Sequence, residues 1–297
     1  MTDSTPSATA AVPPTAVEPG LLDALADRGW PALGRASWHD WSFRFSGGVT
    51  DRANSVLPSG VVPDVREAVD AAEAAYAERG LRTRFQLSPA TDPRVADELR
   101  RRGYEEHSPT RILVAGSGAV AERGMARDSS DEGMVTIADT PDRAWMDVWW
   151  SVDGRGGDAE REVAARILAG GPGLYASLSA PASLAAPASI AAPASASATV
   201  AVARLALVGD WGGLFAVATS PDARRRGFAR RLIVELAAQA RERAIPNLWL
   251  QVTAANTAAL RLYAELGFAP ASSYAYWAAP EDSQSCATAT RAAPVVR

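Results

Sequence analysis

Hydrophobic residues in the second half of the chain follow a pattern that predicts alternating strands and helices. Short apolar runs with strand character lie at 174–178, 200–207, 214–218 and 248–252. Apolar positions after the third run follow a helical period and share one face: Leu232, Ile233, Leu236 and Ala240. A second helix is predicted over 257–266, with Asn256 as its N-cap and Gly267 as its stop. The pattern indicates an α/β fold.

The first half repeats part of this order. A strand containing Gln86, an amphipathic stretch and the pair Gly103-Tyr104 echo Gln251, the last helix and Gly267-Phe268. From glutamine to glycine is 17 residues in the first half and 16 in the second. This similarity predicts a duplicated unit, although strand–helix–glycine–aromatic is a common local order.

Composition along the chain predicts how the two halves are divided. We expect folded halves at 20–116 and 134–279, joined by a linker at 117–133 that is rich in Gly, Ser and charge. The Ser-, Thr-, Ala- and Pro-rich segments 1–19 and 280–297 are predicted to be disordered tails. The repeats ASLAAP, ASIAAP and ASASAT predict a low-complexity surface loop at 180–198, most simply a spacer.

Charge and rare residues exclude several kinds of chemistry. The net charge is −4, which gives no basic field for nucleic acid or an anionic membrane. The chain has no Lys, which excludes Schiff-base chemistry and a Walker-type loop. With only Cys286, His39 and His107, no metal site built on Cys or His is expected. No apolar run approaches ~18 residues, so no membrane span is expected and the cytoplasm is the predicted location.

A basic segment opens the helix that follows the third strand. It reads Arg224-Arg225-Arg226-Gly227-Phe228-Ala229-Arg230 and comes just after Pro221. A glycine turn at a helix start presents unpaired N–H groups and the positive end of the helix dipole to one point. Ala229 is small enough to let the helix pack closely, and the four arginines add positive charge. The segment predicts a phosphate or pyrophosphate site, against the alternative of a solvated basic face.

The last helix carries a second candidate group. Tyr263 lies seven residues after Asn256, nearly two helical turns, so both project from one side of the helix. A tyrosine hydroxyl held there can protonate a leaving thiolate. The alternative is that Tyr263 is only a core residue.

These motifs together resemble the GCN5-related N-acetyltransferase (GNAT) superfamily. The resemblance rests on 217–221, on Arg224-x-x-Gly227-x-Ala229, and on Asn256 and Tyr263 before Gly267-Phe268. It implies transfer of an acetyl group from acetyl-CoA to an amine, with two GNAT-like halves of mixed, mostly antiparallel sheet. It also implies that the backbone of Val217, Ala218 and Thr219 holds the pantetheine arm. By the same resemblance Arg225 to Arg230 cradle the pyrophosphate, Asn256 binds the cofactor and Tyr263 is the general acid.

Outer segments resemble tandem GNAT proteins of actinobacteria, one branch of which is assigned as N-acetylglutamate synthase. These segments are 43–56 and 170–175. Within the first of them, Arg44, Arg52 and Asn54 are candidates for binding a substrate carboxylate, against the alternative of surface or structural polar residues. The cluster Trp145, Trp149 and Trp150 has helical spacing and predicts core packing, with a substrate wall as the alternative.

The sequence departs from the family pattern at the general base. Trp211 and Gln251 stand where many members carry Glu, and strand alternation points Asp210 to the other face. We therefore assign no base. The first half has no glycine at 62–69 and is expected to be degenerate and unable to bind pyrophosphate.

The sequence thus predicts direct acetyl transfer to a small-molecule amine, such as the α-amine of glutamate or another amino acid, by a possible homodimer. Two alternatives remain: an acyl-CoA-binding regulatory module without turnover, and an acetyltransferase of proteins or peptides.

Overall fold

A computed structural model of the chain describes residues 13, 17–125, 133–181 and 197–281. The described residues form a mixed α/β fold. The helices are α1 (Pro19–Gly29), α2 (Val65–Ala77), α3 (Pro93–Arg101), α4 (Ser117–Met125), α5 (Arg143–Asp153), α6 (Asp158–Leu168), α7 (Phe228–Glu242) and α8 (Thr257–Glu265). The strands are β1 (Gly34–Trp38), β2 (Trp41–Phe45), β3 (Val56–Leu57), β4 (Arg84–Leu87), β5 (Glu105–Gly116), β6 (Met134–Ala138), β7 (Gly173–Pro181), β8 (Ser197–Val208), β9 (Trp211–Thr219), β10 (Asn247–Thr253) and β11 (Ala269–Ala278).

The strands form one sheet in which the two halves exchange a strand. The order is β1-β2-β3-β4-β11-β5-β10-β9-β8-β7-β6. The units β4–α3–β5 and β10–α8–β11 have the same order of elements, yet β5 pairs with β10 and β11 pairs with β4. β5 and β11 also pair with each other, in antiparallel orientation. The exchange agrees with the predicted internal repeat and makes the halves one continuous sheet.

Successive side chains of each central strand point alternately to the two faces of the sheet, where they join two different cores. On β10, Leu250 packs with α7 and α8 in what we call the first core. Trp249 packs with residues of α1, α5 and α6 in the second core, on the opposite face. On β5, Leu113 and Ile112 divide in the same way. A third core lies under α2 and α3 in the first half.

The structure corrects three of the predicted boundaries. Val17, placed in the disordered tail, is buried in the second core, and α1 already begins at Pro19. The predicted loop at 180–198 is shorter, because Ala180 pairs with Ala198 and Pro181 with Ser197. Its interior, and the greater part of both predicted tails, lie outside the described residues.

The predicted linker at 117–133 contains α4, which is part of a core. Val120 and Ala121 are buried beside α7. A Cβ at Gly124 would lie 2.0 Å from a methyl carbon of Val234 on α7, so this glycine permits the close approach of the two helices. The Gly and Ser content of this segment indicated a linker, because the apolar face of the helix consists of only two residues.

Candidate active site

The site begins where two parallel strands separate. β9 and β10 pair from Trp211–Asn247 to Leu214–Leu250, and both continue beyond that point without pairing to each other. Ala216, just past the last pair on β9, has φ +51°, and the register between β8 and β9 shifts beside it. A β-bulge therefore turns the backbone of β9 at the opening. The resemblance assigns the next residues, Val217, Ala218 and Thr219, to the pantetheine arm.

The loop after β9 offers backbone N–H groups at the start of α7. Gly227 is the N-cap with φ +82°, a conformation that favours glycine, and Arg225 has φ +68°. Within the described part of the chain, the amides of Arg225, Gly227, Phe228, Ala229 and Arg230 donate no hydrogen bond. A Cβ on Gly227 would meet nothing within 4 Å, so the loop faces open space. These amides can bind an anion of phosphate size.

Side chains of the basic segment have different environments. Arg225 and Arg226 are exposed on the loop, and Arg224 donates from Nε to the Thr219 carbonyl at 3.3 Å. Arg230 forms an ion pair with Glu265 on α8, so its charge is already partly neutralised. Phe228 is buried in the first core and offers only its amide, while Ala229 is half-buried where α7 packs on the sheet.

On α8, Asn256 and Tyr263 lie where the sequence predicts them. The Asn256 Oδ1 accepts from the Ala259 amide at 3.1 Å and caps the helix. The Tyr263 side chain is buried in the first core, with its ring edge toward Phe268. Among the described residues, none is a hydrogen-bond partner of the Tyr263 hydroxyl. Burial, and secondly the charge of Asp153, raise the pKa of Tyr263 to about 12.

Asp153 is a residue that the sequence interpretation missed. It ends α5 and is partly solvent-accessible, but burial by its neighbours raises the pKa of its carboxyl. Its charge also interacts with Arg224. The charge at the end of α5 thus acts on both the basic loop and α8. A single Asp before Gly154-Arg155 gives no sequence signal for this position.

Neither of the two positions at which many family members carry Glu, 211 and 251, has a carboxylate. Trp211 is buried edge-on to Trp249, and Asp210 is exposed in the turn before β9. Gln251 is the first residue of β10 that no longer pairs with β9, and both its polar side-chain atoms are buried without a hydrogen bond among the described residues.

Two of the three predicted carboxylate-binding residues are structural instead. Arg44 is fully buried and donates to the Ser55 carbonyl and hydroxyl and to Gln86. Asn54 is buried and uses all its capacity: its Oδ1 accepts from two amides, and its Nδ2 donates to two carbonyls. Contacts with other described residues occupy both side chains, which favours the structural alternative for Arg44 and Asn54.

Arg52, the third, lies beside the strand separation. Its guanidinium carbon is 5.2 Å from the ring of Phe215 on β9 and 5.6 Å from that of Trp30. It also contacts the hydroxyls of Tyr274 and Tyr276 on β11. Its Nε is buried and, within the described ranges, has no hydrogen-bond partner.

The predicted tryptophan cluster is core. Trp145 and Trp149 are buried in the second core, and the Trp145 Nε1 donates to the Ala176 carbonyl at 3.1 Å. No three His, Cys, Asp or Glu side chains of the described residues are grouped as a metal site would require. None of the helices in the described part of the chain is long and apolar enough to cross a bilayer.

Comparisons with known proteins agree on a family. A family model described as "Probable histone acetyltransferase Rv0428c C-terminal" matches residues 20–277. The uncharacterized N-acetyltransferase YobR of Bacillus subtilis is 25% identical over 257 residues, which are 86% of this chain and 96% of that protein. The ribosomal protein bS18-alanine N-acetyltransferase of Salmonella typhimurium is 43% identical over 68 residues, only 46% of its length and 23% of this chain.

Solved structures share the fold at low sequence identity. A GCN5-related N-acetyltransferase from Kribbella flavida superposes with a TM-score of 0.60 at 15% identity, covering 87% of this chain and 95% of that one. A tandem GNAT protein from the clavulanic acid biosynthesis pathway superposes with a TM-score of 0.53 at 13% identity, covering 72% and 69%. Because the family match spans most of the chain, the protein belongs to the family described as probable histone acetyltransferase Rv0428c, C-terminal, and is an N-acetyltransferase of the GNAT type.

Proposed function

We propose that this protein transfers the acetyl group of acetyl-CoA to the amine of a small molecule, with the α-amine of glutamate or another amino acid as the first acceptor to test. GNAT acetyltransferases use acetyl-CoA. The observation that carries the proposal is the continuity of three features: the separation of β9 and β10, the bulge at Ala216, and the amides of 227–229, which donate to no acceptor among the described residues. Together they offer an extended groove with an anion site at one end.

The loop is proposed to hold the pyrophosphate through the amides around Gly227. Support comes from a contrast within the chain. At the start of α2 in the first half, the amides of Arg66 and Glu67 donate to the Asp64 carboxylate, which occupies them and adds negative charge. At the start of α7 no side chain of the described residues does so. We therefore expect one cofactor site, in the second half.

The chemical step is a direct transfer. The lone pair of a neutral amine attacks the thioester carbonyl carbon, a C–N bond forms, and the C–S bond breaks with its electron pair leaving on sulfur. The nitrogen, positively charged after the attack, releases one proton to solvent and leaves a neutral amide. Backbone amides at the bulge would polarise the carbonyl oxygen. No acyl-enzyme is needed, and Cys286 lies outside the described residues.

Tyr263 is proposed to supply a proton to the leaving sulfur. With a pKa of about 12 the phenol stays protonated throughout the physiological range and remains available as a donor. A thiol in water has a pKa of about 8.5, so transfer to a solvated thiolate would be uphill. The burial that raises the pKa of Tyr263 would also raise the pKa of a thiol beside it, so the two pKa values would lie closer together than in water.

The amine is proposed to lose its proton to solvent or to arrive neutral. Trp211 and Gln251 are not bases, so the rate should rise with pH until the acceptor amine is fully deprotonated. The identity of 43% with a bS18-alanine N-acetyltransferase covers too little of both chains to favour a protein substrate.

The test is release of free thiol from acetyl-CoA in the presence of a panel of amines and amino acids. The proposal expects amine-dependent release and an acetylated product confirmed by mass. Tight acetyl-CoA binding without release for any amine between about pH 7 and 9 would instead favour the regulatory module. Release with N-terminal peptides but not with free amino acids would favour the peptide alternative.

A further inference from the structure

Buried polar atoms without partners concentrate on the sheet face covered by α1. Besides Trp249, whose indole nitrogen also lacks a partner there, six residues on this face each have at least one buried side-chain nitrogen or oxygen without a hydrogen bond among the described residues. We call them the polar strip: Asp23, Arg52, Gln86, His107, Gln251 and Ser272. A buried polar atom without a hydrogen bond destabilises a folded protein, so such a concentration needs an explanation.

Strand register places these residues on one face. Gln251 on β10 and Ser272 on β11 are both paired with Ile112 on β5, which gives one row across three strands. Gln86 on β4 and His107 on β5 are both paired with Tyr276. Paired residues point to the same side of a sheet, and Ile112 and Tyr276 belong to the same core. The strip thus crosses from the first half toward Gln251 at the opening between β9 and β10.

Arg52 gives the strip a positive charge at the opening. It lies against Phe215, which directly follows the last paired residue of β9. Its named contacts are aromatic rings and tyrosine hydroxyls, and no carboxylate of the described residues forms an ion pair with it. A guanidinium remains charged in any protein environment, so this half-buried cation has no carboxylate counter-ion among the described residues.

Arg44, an arginine with a structural role, provides a comparison for the partners of Arg52. It too is buried beneath α1, but its donors reach Ser55, Gln86 and the carboxylate of Asp27. Within the part of the chain that the structure describes, Arg52 has neither an acid partner nor a hydrogen bond at Nε. The difference favours a ligand rather than the fold as the partner of Arg52.

We propose that the polar strip is the acceptor site and that the acceptor carries a carboxylate, which Arg52 binds. This inference rests on the proposed acetyl transfer and narrows its substrate class to amino acids and related carboxylated amines. The carboxylate supplies the missing counter-ion and accepts from Nε. The Gln251 Oε1 accepts from the amine N–H and holds the nitrogen at the strand separation. Asp23, Gln86 and His107 lie farther along the strip and bind the polar side chain of an elongated acceptor.

The first test uses the unaltered protein and matched acceptors. Amino acids and their α-amides differ in the carboxylate but share the amine and side chain, and each pair is compared at a pH where both amines are neutral. The proposal expects kcat/KM for the acid to exceed that for the amide by about 10- to 100-fold, the range for a hydrogen bond to a charged group. Equal values would overturn the inference and leave the acetyltransferase proposal standing.

The second test alters the cation. Arg52→Gln should raise KM for the acid by a similar factor, leave KM for the amide and the affinity for acetyl-CoA unchanged, and be partly rescued by Arg52→Lys. The control is Arg79→Gln, which removes another arginine that lies over an aromatic ring, Phe45, in the first half. An equal loss for acid and amide would assign Arg52 to packing and overturn the inference.

A binding measurement keeps the inference testable if no turnover is found. Titration calorimetry with the same amino acids and amides, in the presence of CoA, should detect binding of the acids to the wild-type protein and its loss in Arg52→Gln. If Arg52→Gln does not fold, Arg52→Lys and the wild-type acid–amide comparison decide. Absence of binding by any carboxylated amine to the folded wild-type protein would overturn the inference.

Discussion

Asp153 at the end of α5 and Tyr263 on α8 interact across the site, although 110 positions separate them in the chain. Burial is the main reason that the pKa of Tyr263 is raised, and the charge of Asp153 adds to it. The two elements belong to different faces of the sheet, since α5 packs in the second core and Tyr263 in the first. The interaction therefore links elements that pack on opposite faces of the sheet.

Removing the phenolic proton tests its role. Tyr263→Phe should lower kcat by about 100-fold or more, the range for general acid catalysis, while the affinity for acetyl-CoA stays nearly constant. Steady-state kinetics and equilibrium binding separate these effects. Tyr104→Phe is the matched control, because it removes a buried hydroxyl that bonds to Glu73 in the first half. A Tyr263→Phe enzyme with unchanged kcat would show that the residue serves only the core.

Removing the charge of Asp153 should lower the pKa of Tyr263. The Coulombic part of the shift disappears in Asp153→Asn, while the larger effect of burial remains. The measurement is a pH titration by NMR with tyrosine labelled at Cζ, the Tyr263 signal being identified by its absence from Tyr263→Phe. Asp139→Asn, an exposed aspartate before α5, is the control and should have no effect. An unchanged Tyr263 pKa in Asp153→Asn would contradict the interaction.

Two glycines with similar conformations make it possible to distinguish loss of the anion site from the effect of backbone strain. Gly227 has φ +82°, Gly209 in the turn before β9 has φ +61°, and a Cβ at either would meet nothing within 4 Å. Glutamate strains both turns alike, but only at Gly227 does it place negative charge beside the proposed pyrophosphate. Gly227→Glu should abolish measurable acetyl-CoA binding, and Gly209→Glu should leave it intact. Equal affinities in the two variants would refute the phosphate-loop assignment.

Local features of the fold and site were predictable, because they depend on neighbours in the chain. The strand before Pro221, the glycine turn and the helix with Asn256 and Tyr263 all lie where the pattern predicts them. The exchange of β5 and β11 was not predicted, because apolar alternation indicates which side of a strand is buried but not which strand it joins.

Arg44 illustrates why candidate substrate residues were harder to predict from the sequence than the helices and strands. In β2, Trp41, Phe43 and Phe45 face the third core, and alternation assigns Arg44 to the other side. That side is buried as well, because α1 brings Asp27 over it. A position that is polar in the local pattern thus became a structural ion-pair site through a contact between distant segments.

Arg44 and Arg35 share the carboxylate of Asp27 and provide a stability test. Arg44 is completely buried, whereas the Arg35 side chain is 40% exposed. Arg44→Gln should reduce the free energy of unfolding by about 3–5 kcal/mol, because it leaves the buried oxygens of Ser55 without their donor and removes one of the two cations at Asp27. Arg35→Gln should cost less than about 1 kcal/mol, as expected for a surface pair. Denaturant unfolding measures both, and equal losses would contradict a structural role for Arg44.

Asp23 should make stability depend on pH in the opposite direction to most carboxylates. Burial is the main cause that raises its pKa to about 6, against the lowering effects of Ser88, whose Oγ donates to it at 2.5 Å, and of Arg44. Because its pKa is higher in the folded than in the unfolded chain, the folded state binds the proton more tightly. Its contribution to stability is therefore complete below about pH 4 and is lost as the pH rises through about 6.

The measurement is the free energy of unfolding of the wild type minus that of Asp23→Asn across this range. The difference should fall by up to about 3 kcal/mol between pH 4 and 7, since a shift of about two pKa units corresponds to that amount. Taking the difference cancels the titration of all other groups, including Glu98, whose pKa is lowered to about 2 chiefly by its hydrogen bond with Arg101. Asp97→Asn, at an exposed site on α3, should give a flat difference. A flat difference for Asp23→Asn as well would mean that this carboxyl titrates normally, and the polar strip would then lose its one acid with a raised pKa.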